Sequence, residues 1–171
     1  MISLVLGGAR SGKSAVAERL CGGQLPGSQR SPVTYVATAV GADGDADLAA
    51  RIAEHRSRRP SWWTTVEAGP GAVVGVVRDA AGGRVLVDSL TTWVAAAPDF
   101  GVDGEGLCAA LSERAGDVVV VSDEVGLGVH PSTEAGRRFR DRLGLLNQAV
   151  AEVADRVLLV VAGRVLSLER L

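Results

Sequence analysis

The sequence predicts an α/β fold: a mostly parallel β-sheet covered by helices on both faces and finished at its C-terminal edge by an antiparallel hairpin. Three observations predict it. Short apolar, β-branched runs recur along the 171 residues, at Ile2–Leu6, Val33–Ala37, Trp63–Val66, Val85–Val87, Val118–Val121 and Val157–Val161. Runs such as Val118-Val119-Val120-Val121 do not alternate with polar residues, the mark of strands buried on both faces. Helix-like or loop segments separate most of the runs, as parallel strands require of their connections. The length suits one domain spanning 1–171, and a composition of 47% hydrophobic and 22% charged residues is ordinary for a globular protein.

The elements follow in order. Ile2–Leu6 is a buried first strand, and Ser14–Leu20 continues in helix-favouring residues. Leu143, Leu146, Val150 and Val153 repeat at helical spacing and predict a helix over Arg137–Ala154. Gly163-Arg164 divides Val157–Ala162 from Val165–Leu168, which predicts a tight hairpin and the antiparallel edge. Gly22–Pro32, Gly41–Asp47 and Ala95–Gly106 are rich in Gly, Pro, Ser or Asp and read as loops suited to covering a substrate. Trp62, Trp63 and Trp93 read as core or as an apolar wall for a large flat ligand.

Composition also excludes. A formal net charge of −2 gives no electrostatic case for nucleic acid, and no apolar run approaches a membrane span. The first strand begins at residue 2, which leaves no room for a signal peptide, and Cys21 and Cys108 have no metal or redox spacing. The expectation is a cytoplasmic protein with reduced, buried thiols.

The most informative segment is Gly7-Gly8-Ala9-Arg10-Ser11-Gly12-Lys13-Ser14, which fits the phosphate-loop pattern G-x-x-x-x-G-K-[ST] at every fixed position. Lys13 is the only lysine of the chain, every other basic residue being Arg. A compact ammonium on a flexible stem reaches β- and γ-phosphates where a planar guanidinium does not fit. Strand before and helix after put unpaired N–H groups and the positive helix end at the glycines. Ser14 would then offer its hydroxyl to Mg²⁺.

Asp88 ends Arg84-Val85-Leu86-Val87, where an acid can hold or orient Mg²⁺ at the carboxyl end of a buried strand. Asp123 and Glu124 end Val118–Val121 in the same way and are rival candidates. The chain has two histidines, His55 and His130. His55 sits at the edge of a narrow apolar stripe made by Leu48, Ala49, Ile52 and Ala53, among Arg51, Arg56, Arg58 and Arg59. Such a cluster binds a polyphosphate and keeps an imidazole neutral and nucleophilic. On chemistry alone a surface helix with arginines near its C-terminus is the simpler reading.

Taken together, these residues resemble the bifunctional adenosylcobinamide kinase / adenosylcobinamide-phosphate guanylyltransferase family of cobalamin biosynthesis. The resemblance rests on the phosphate loop, Tyr35-Val36-Ala37-Thr38, Arg51-Ile52, His55-Arg56 with Arg59-Pro60, Trp63-Thr64-Thr65 and Glu67. It continues through Asp88-Ser89-Leu90-Thr91-Thr92-Trp93, Glu124-Val125-Gly126-Leu127-Gly128, Phe139-Arg140-Asp141, Gly144, Asn147-Gln148 and Ala154-Asp155. Asp123 stands where Asn is common in the family, Val129-His130 replaces Ile-Val before Pro131, and the stretch after Trp93 is short.

The resemblance implies a RecA-like P-loop NTPase fold assembled as a trimer. It implies ATP or GTP as phosphoryl donor to adenosylcobinamide, then GMP transfer from GTP through a guanylylated His55. It implies nucleotide contacts from residues 7–14 (Gly7, Gly8, Ala9, Arg10, Ser11, Gly12, Lys13, Ser14), from Ala37, Thr38 and Ala39, from Arg56, Ser57, Arg58 and Arg59, and from Glu67 and Asp88. Ser14 and Asp88 would hold Mg²⁺, the latter through water. Two other readings of the residues stand beside it: a single-activity small-molecule kinase, and a non-catalytic nucleotide-switched binding module.

Overall fold

The computed structural model describes residues 1–22, 31–39, 56–57, 59–80 and 82–170. Seven strands form one sheet: β1 (Ile2–Gly7), β2 (Val33–Ala37), β3 (Thr64–Glu67), β4 (Arg84–Asp88), β5 (Val118–Asp123), β6 (Arg156–Val161) and β7 (Arg164–Leu168). Their spatial order is β3-β2-β4-β5-β1-β6-β7, parallel throughout except for the antiparallel β6–β7 pair. The described helices are α1 (Lys13–Gly22), α2 (Val73–Asp79), α3 (Leu90–Ala96), α4 (Gly104–Glu113) and α5 (Glu134–Val153), with a 3-10 turn at Pro98–Phe100.

Successive strand residues face opposite sides, and both sides are buried, which is why the valine runs do not alternate. Leu4, Leu6, Val85, Val87, Val118 and Val120 pack with α2, α3, α4 and α5 through Val73, Leu90, Leu107 and Leu143. On the other side Val5, Tyr35, Leu86, Val119 and Val121 pack against Val16, Ala17 and Cys21 of α1 and against Trp63. Burial pushes the Cys21 thiol up to about 12, so this thiol is a packing group and not a nucleophile.

Several boundaries differ from the sequence expectation. The third strand starts at Thr64, because the Trp63 N–H closes a turn onto the carbonyl of Pro60. The stretch 95–106 is only partly loop: α3 runs to Ala96, and Asp103 starts α4 by accepting the Gly106 N–H, a cap that overrides the low helix propensity of Gly104 and Gly106. The last helix begins three residues early, at Glu134, because Thr133 caps it. Among the other two expected loops, residues 23–30 and 41–47 lie outside the described residues, as does most of the 47–60 segment.

Trp93 resolves to core. It is fully buried, and its indole N–H donates to the carbonyl of Pro70 at 2.8 Å. Replacing it with alanine removes a fully buried indole and the donor to that carbonyl. Trp93→Ala is expected to lower unfolding stability by about 3–5 kcal/mol, read from the midpoint of a urea titration.

Candidate active site

The carboxyl ends of β1, β2, β4 and β5 meet at one cleft, and the phosphate loop forms one wall. Gly7 closes β1 where no side chain fits: a Cβ there would lie 2.5 Å from Ser11 Oγ and 2.7 Å from the Val160 carbonyl. Gly12 has φ +93°, a left-handed conformation that glycine adopts without steric cost. The loop is held by a Ser11 N–H bond to the Gly8 carbonyl and, from outside, by the Gly163 N–H, which donates to the Ser11 carbonyl at 2.8 Å. Gly163 is the turn of the β6–β7 hairpin, so the sheet edge braces the loop.

Lys13 and Ser14 open α1 and line the cleft. Lys13 Nζ lies 2.5 Å from Asp123 Oδ1 and donates to the Gly8 carbonyl at 3.3 Å. Asp123 reaches it because β5 pairs with β1 in a register that sets Asp123 opposite Gly7. Its backbone is fixed on both sides: its N–H donates to Thr91 Oγ1, and its carbonyl accepts from Asn147 Nδ2.

Asp88, at the end of β4, faces the same cleft. Its Oδ2 accepts a 2.5 Å hydrogen bond from the Tyr35 hydroxyl. Burial first, and then the Asp88 charge and that hydrogen bond, push the Tyr35 phenol well above its usual range, so it stays a donor. The Arg59 guanidinium lies 3.4 Å from the centre of the Tyr35 ring, and its Nη1 donates to Thr65 Oγ1. Arg56 Nη2 pairs with Glu67 Oε1 at 2.9 Å, both side chains more than half exposed. An exposed pair of this kind contributes little stability, so both groups can exchange partners with a ligand.

Of the residues predicted from sequence, Lys13, Ser14, Ala37, Ala39, Arg56, Arg59, Glu67 and Asp88 are brought together around this cleft. Thr38 is near it but turned inward: its buried hydroxyl donates to the Ser89 carbonyl and accepts from the Ser89 N–H, and it sits 2.6 Å from Thr92 Oγ1. Thr38 thus holds the β4–α3 junction. Ser57 is exposed, and His55 and Arg58 lie outside the described residues. His130 is elsewhere on the surface, its Nδ1 2.9 Å from Arg140 Nη1. Glu124 accepts the N–H of Gly126 in its own loop.

Sequence reasoning missed Tyr35, Thr65, Ser89, Thr91 and Thr92 as cleft residues. Tyr35 carried the one available signal, a hydroxylated aromatic in an otherwise aliphatic buried strand, since a buried phenol needs a partner.

A parallel sheet with a glycine-rich loop at the carboxyl end of β1, a lysine at the following helix and acids at the neighbouring strand ends defines a P-loop NTPase of RecA-like arrangement. The family model described as cobinamide kinase / cobinamide phosphate guanyltransferase matches residues 3–168. The chain is 44% identical over 171 residues to the bifunctional adenosylcobalamin biosynthesis protein CobP of Pseudomonas aeruginosa, covering 95% of this chain and 94% of that one. It is 36% identical over 183 residues to the bifunctional adenosylcobalamin biosynthesis proteins CobU of Salmonella typhimurium and of Escherichia coli, in each case covering 95% of this chain and 97% of the relative. The chain belongs to the cobinamide kinase / cobinamide phosphate guanyltransferase family, and it is an enzyme with both activities. No helix among the described residues is long and apolar enough to cross a membrane.

Proposed function

We propose that this one cleft serves both reactions of nucleotide-loop assembly in cobalamin biosynthesis. In the first, a nucleoside triphosphate phosphorylates the hydroxyl on the aminopropanol arm of adenosylcobinamide. In the second, GTP gives GMP to that phosphate, yielding adenosylcobinamide-GDP and pyrophosphate. The observation that carries the reading is that Lys13, Ser14 and Asp88 share a cleft with Arg56, Arg59 and Glu67.

In the kinase step the loop amides and Lys13 bind the β- and γ-phosphates and stabilise charge as the γ-phosphoryl moves to the hydroxyl oxygen. Mg²⁺ fits the donor set: Ser14 and Asp88 offer hard oxygen ligands on one cleft, and Mg²⁺ takes few protein oxygens when substrate phosphates complete its shell. Bound there by Ser14 and, through water, by Asp88, it would neutralise phosphate charge.

In the second step an imidazole nitrogen of His55 attacks the α-phosphorus of GTP, and pyrophosphate leaves. A phosphate oxygen of the corrinoid then attacks the same phosphorus and releases the histidine. Arg56, the next residue in sequence, lines the cleft with Arg59, which supports a role for these arginines in meeting the pyrophosphate. Glu67 can accept hydrogen bonds from guanine N1–H and N2–H₂ once Arg56 turns to phosphate. Two displacements predict retained configuration at phosphorus. A trimer is the assembly proposed.

The test is to incubate the protein with Mg²⁺ and GTP labelled at the α-phosphate, denature it, and count label on the chain. Acid-labile, alkali-stable label is expected. An unlabelled chain that still binds GTP would remove the covalent step.

The Lys13–Asp123 pair adds a prediction. Asp123 competes with phosphate for the ammonium and repels the phosphates themselves. Asp123→Asn is therefore expected to tighten GTP binding by about fivefold, measured by calorimetry. Weaker binding would make Asp123 part of the metal–nucleotide contact instead.

A further inference from the structure

Tyr35 touches both halves of the cleft. Its hydroxyl donates to Asp88 Oδ2 at 2.5 Å, on the phosphate-loop side. Its ring face carries the Arg59 guanidinium at 3.4 Å, on the side of the arginine segment. The ring cannot shift to serve one contact at the expense of the other. It is 2% exposed, sits on β2 between β3 and β4, and packs beside Trp63 at 6.4 Å between ring centres.

The two partners are also anchored independently of Tyr35. The Asp88 carbonyl accepts the N–H of Thr38, the residue after β2, so the Asp88 backbone is held without the phenol. Arg59 donates from Nη1 to Thr65 Oγ1 on β3 and from its backbone N–H to the Arg56 carbonyl. Tyr35 therefore fixes a distance between two elements already held, which is a different task from filling the core.

We propose that Tyr35 is a positioning residue that sets Asp88 for phosphoryl transfer with its hydroxyl and Arg59 for GMP attachment with its ring. The inference rests on the reading that the two reactions share this cleft. The phenol donor fixes the plane of the Asp88 carboxylate, and hence the direction in which it meets the nucleotide's metal. The ring face fixes the planar guanidinium, and hence the donors it turns toward a leaving pyrophosphate. The two contacts use different parts of one side chain, so they are separable by mutation.

Tyr35→Phe keeps the ring and removes the donor. The turnover number for phosphorylation of cobinamide is expected to fall about tenfold, the loss typical of one hydrogen bond to a charged group. KM for the nucleotide should change little, and the rate of GMP attachment from α-labelled GTP should fall far less than phosphorylation. Tyr35→Leu removes donor and ring face, and both rates should fall by about tenfold or more. Circular dichroism and the urea midpoint establish whether the Leu variant is folded. If it is not, Arg59→Gln replaces it, and the expected pattern is the mirror image: GMP attachment falls more than phosphorylation.

Equal loss of both rates in Tyr35→Phe, or no loss of either, overturns the proposal. If the wild-type chain takes no label at all, the histidine step fails by itself. The inference is then decided on the phosphorylation arm, where an unchanged turnover number in Tyr35→Phe overturns it.

Discussion

Lys13→Ala is expected to abolish most phosphoryl transfer, lowering kcat/KM by about a hundred- to a thousandfold, the range found when one preorganised charge-stabilising donor is removed. The lysine stands at the head of α1, where the phosphate loop ends, and its stem is nearly buried at 10% side-chain exposure. No neighbouring lysine exists to replace it, since the chain has no other. Removing it also leaves Asp123 without the ammonium 2.5 Å away, so an unpaired carboxylate would then face the nucleotide's phosphates. Both effects act in the same direction. Lys13→Arg should rescue poorly, because the space between Asp123 and the Gly8 carbonyl suits a point charge and not a planar fork. Steady-state kinetics with cobinamide and ATP or GTP check this, and a Lys13→Ala enzyme within tenfold of wild type would show that the loop merely binds.

His55→Asn is expected to remove the covalent GMP label altogether, while His130→Asn keeps it. Asparagine retains polarity and approximate size but has no nucleophilic nitrogen, so the first displacement has no attacking group. His130 serves as the internal control. It is the chain's other imidazole, and its ring nitrogen lies beside Arg140, away from the residues that line the cleft. The loss in GMP transfer should exceed about a thousandfold, as when a nucleophile is deleted from a double-displacement enzyme. Phosphorylation of cobinamide in the same His55→Asn sample reports whether the fold and the phosphate loop are intact. Label that survives in His55→Asn and vanishes in His130→Asn would reassign the nucleophile.

The phosphate loop was legible because its chemistry is local: eight contiguous residues, a strand before and a helix after. Asp88 and Asp123 were legible as strand-end acids, since parallel sheets collect ligands at that edge. Their different partners were not. The Lys13–Asp123 pair depends on β1 lying beside β5, an adjacency across more than a hundred residues that no spacing encodes. Tyr35 was hidden for a related reason. An aromatic in a buried strand reads as core, and its hydroxyl meets Asp88 only because β2 pairs with β4 with Ala37 opposite Asp88. Thr38 was named as a nucleotide contact through the family resemblance alone, and the bonds of its buried hydroxyl to Ser89 and Thr92 depend on the β2–β4 pairing and were equally hidden. The start of α4 was missed because glycines argue against a helix, and the cap at Asp103 outweighs them.

The brace between Gly163 and Ser11 bears on how the chain is made. β1 precedes β2, β3 and β4 in sequence, yet its two neighbours in the sheet are β5 and β6, which follow all of them. The hairpin turn that steadies the phosphate loop is far from it in sequence, Gly163 meeting Ser11. Every residue up to Gly163 must therefore leave the ribosome before this brace can form, and contacts of such long sequence separation form slowly. The phosphate loop waits for the β6–β7 turn. Removal of the β6–β7 hairpin would accordingly be felt in the loop that grips phosphate.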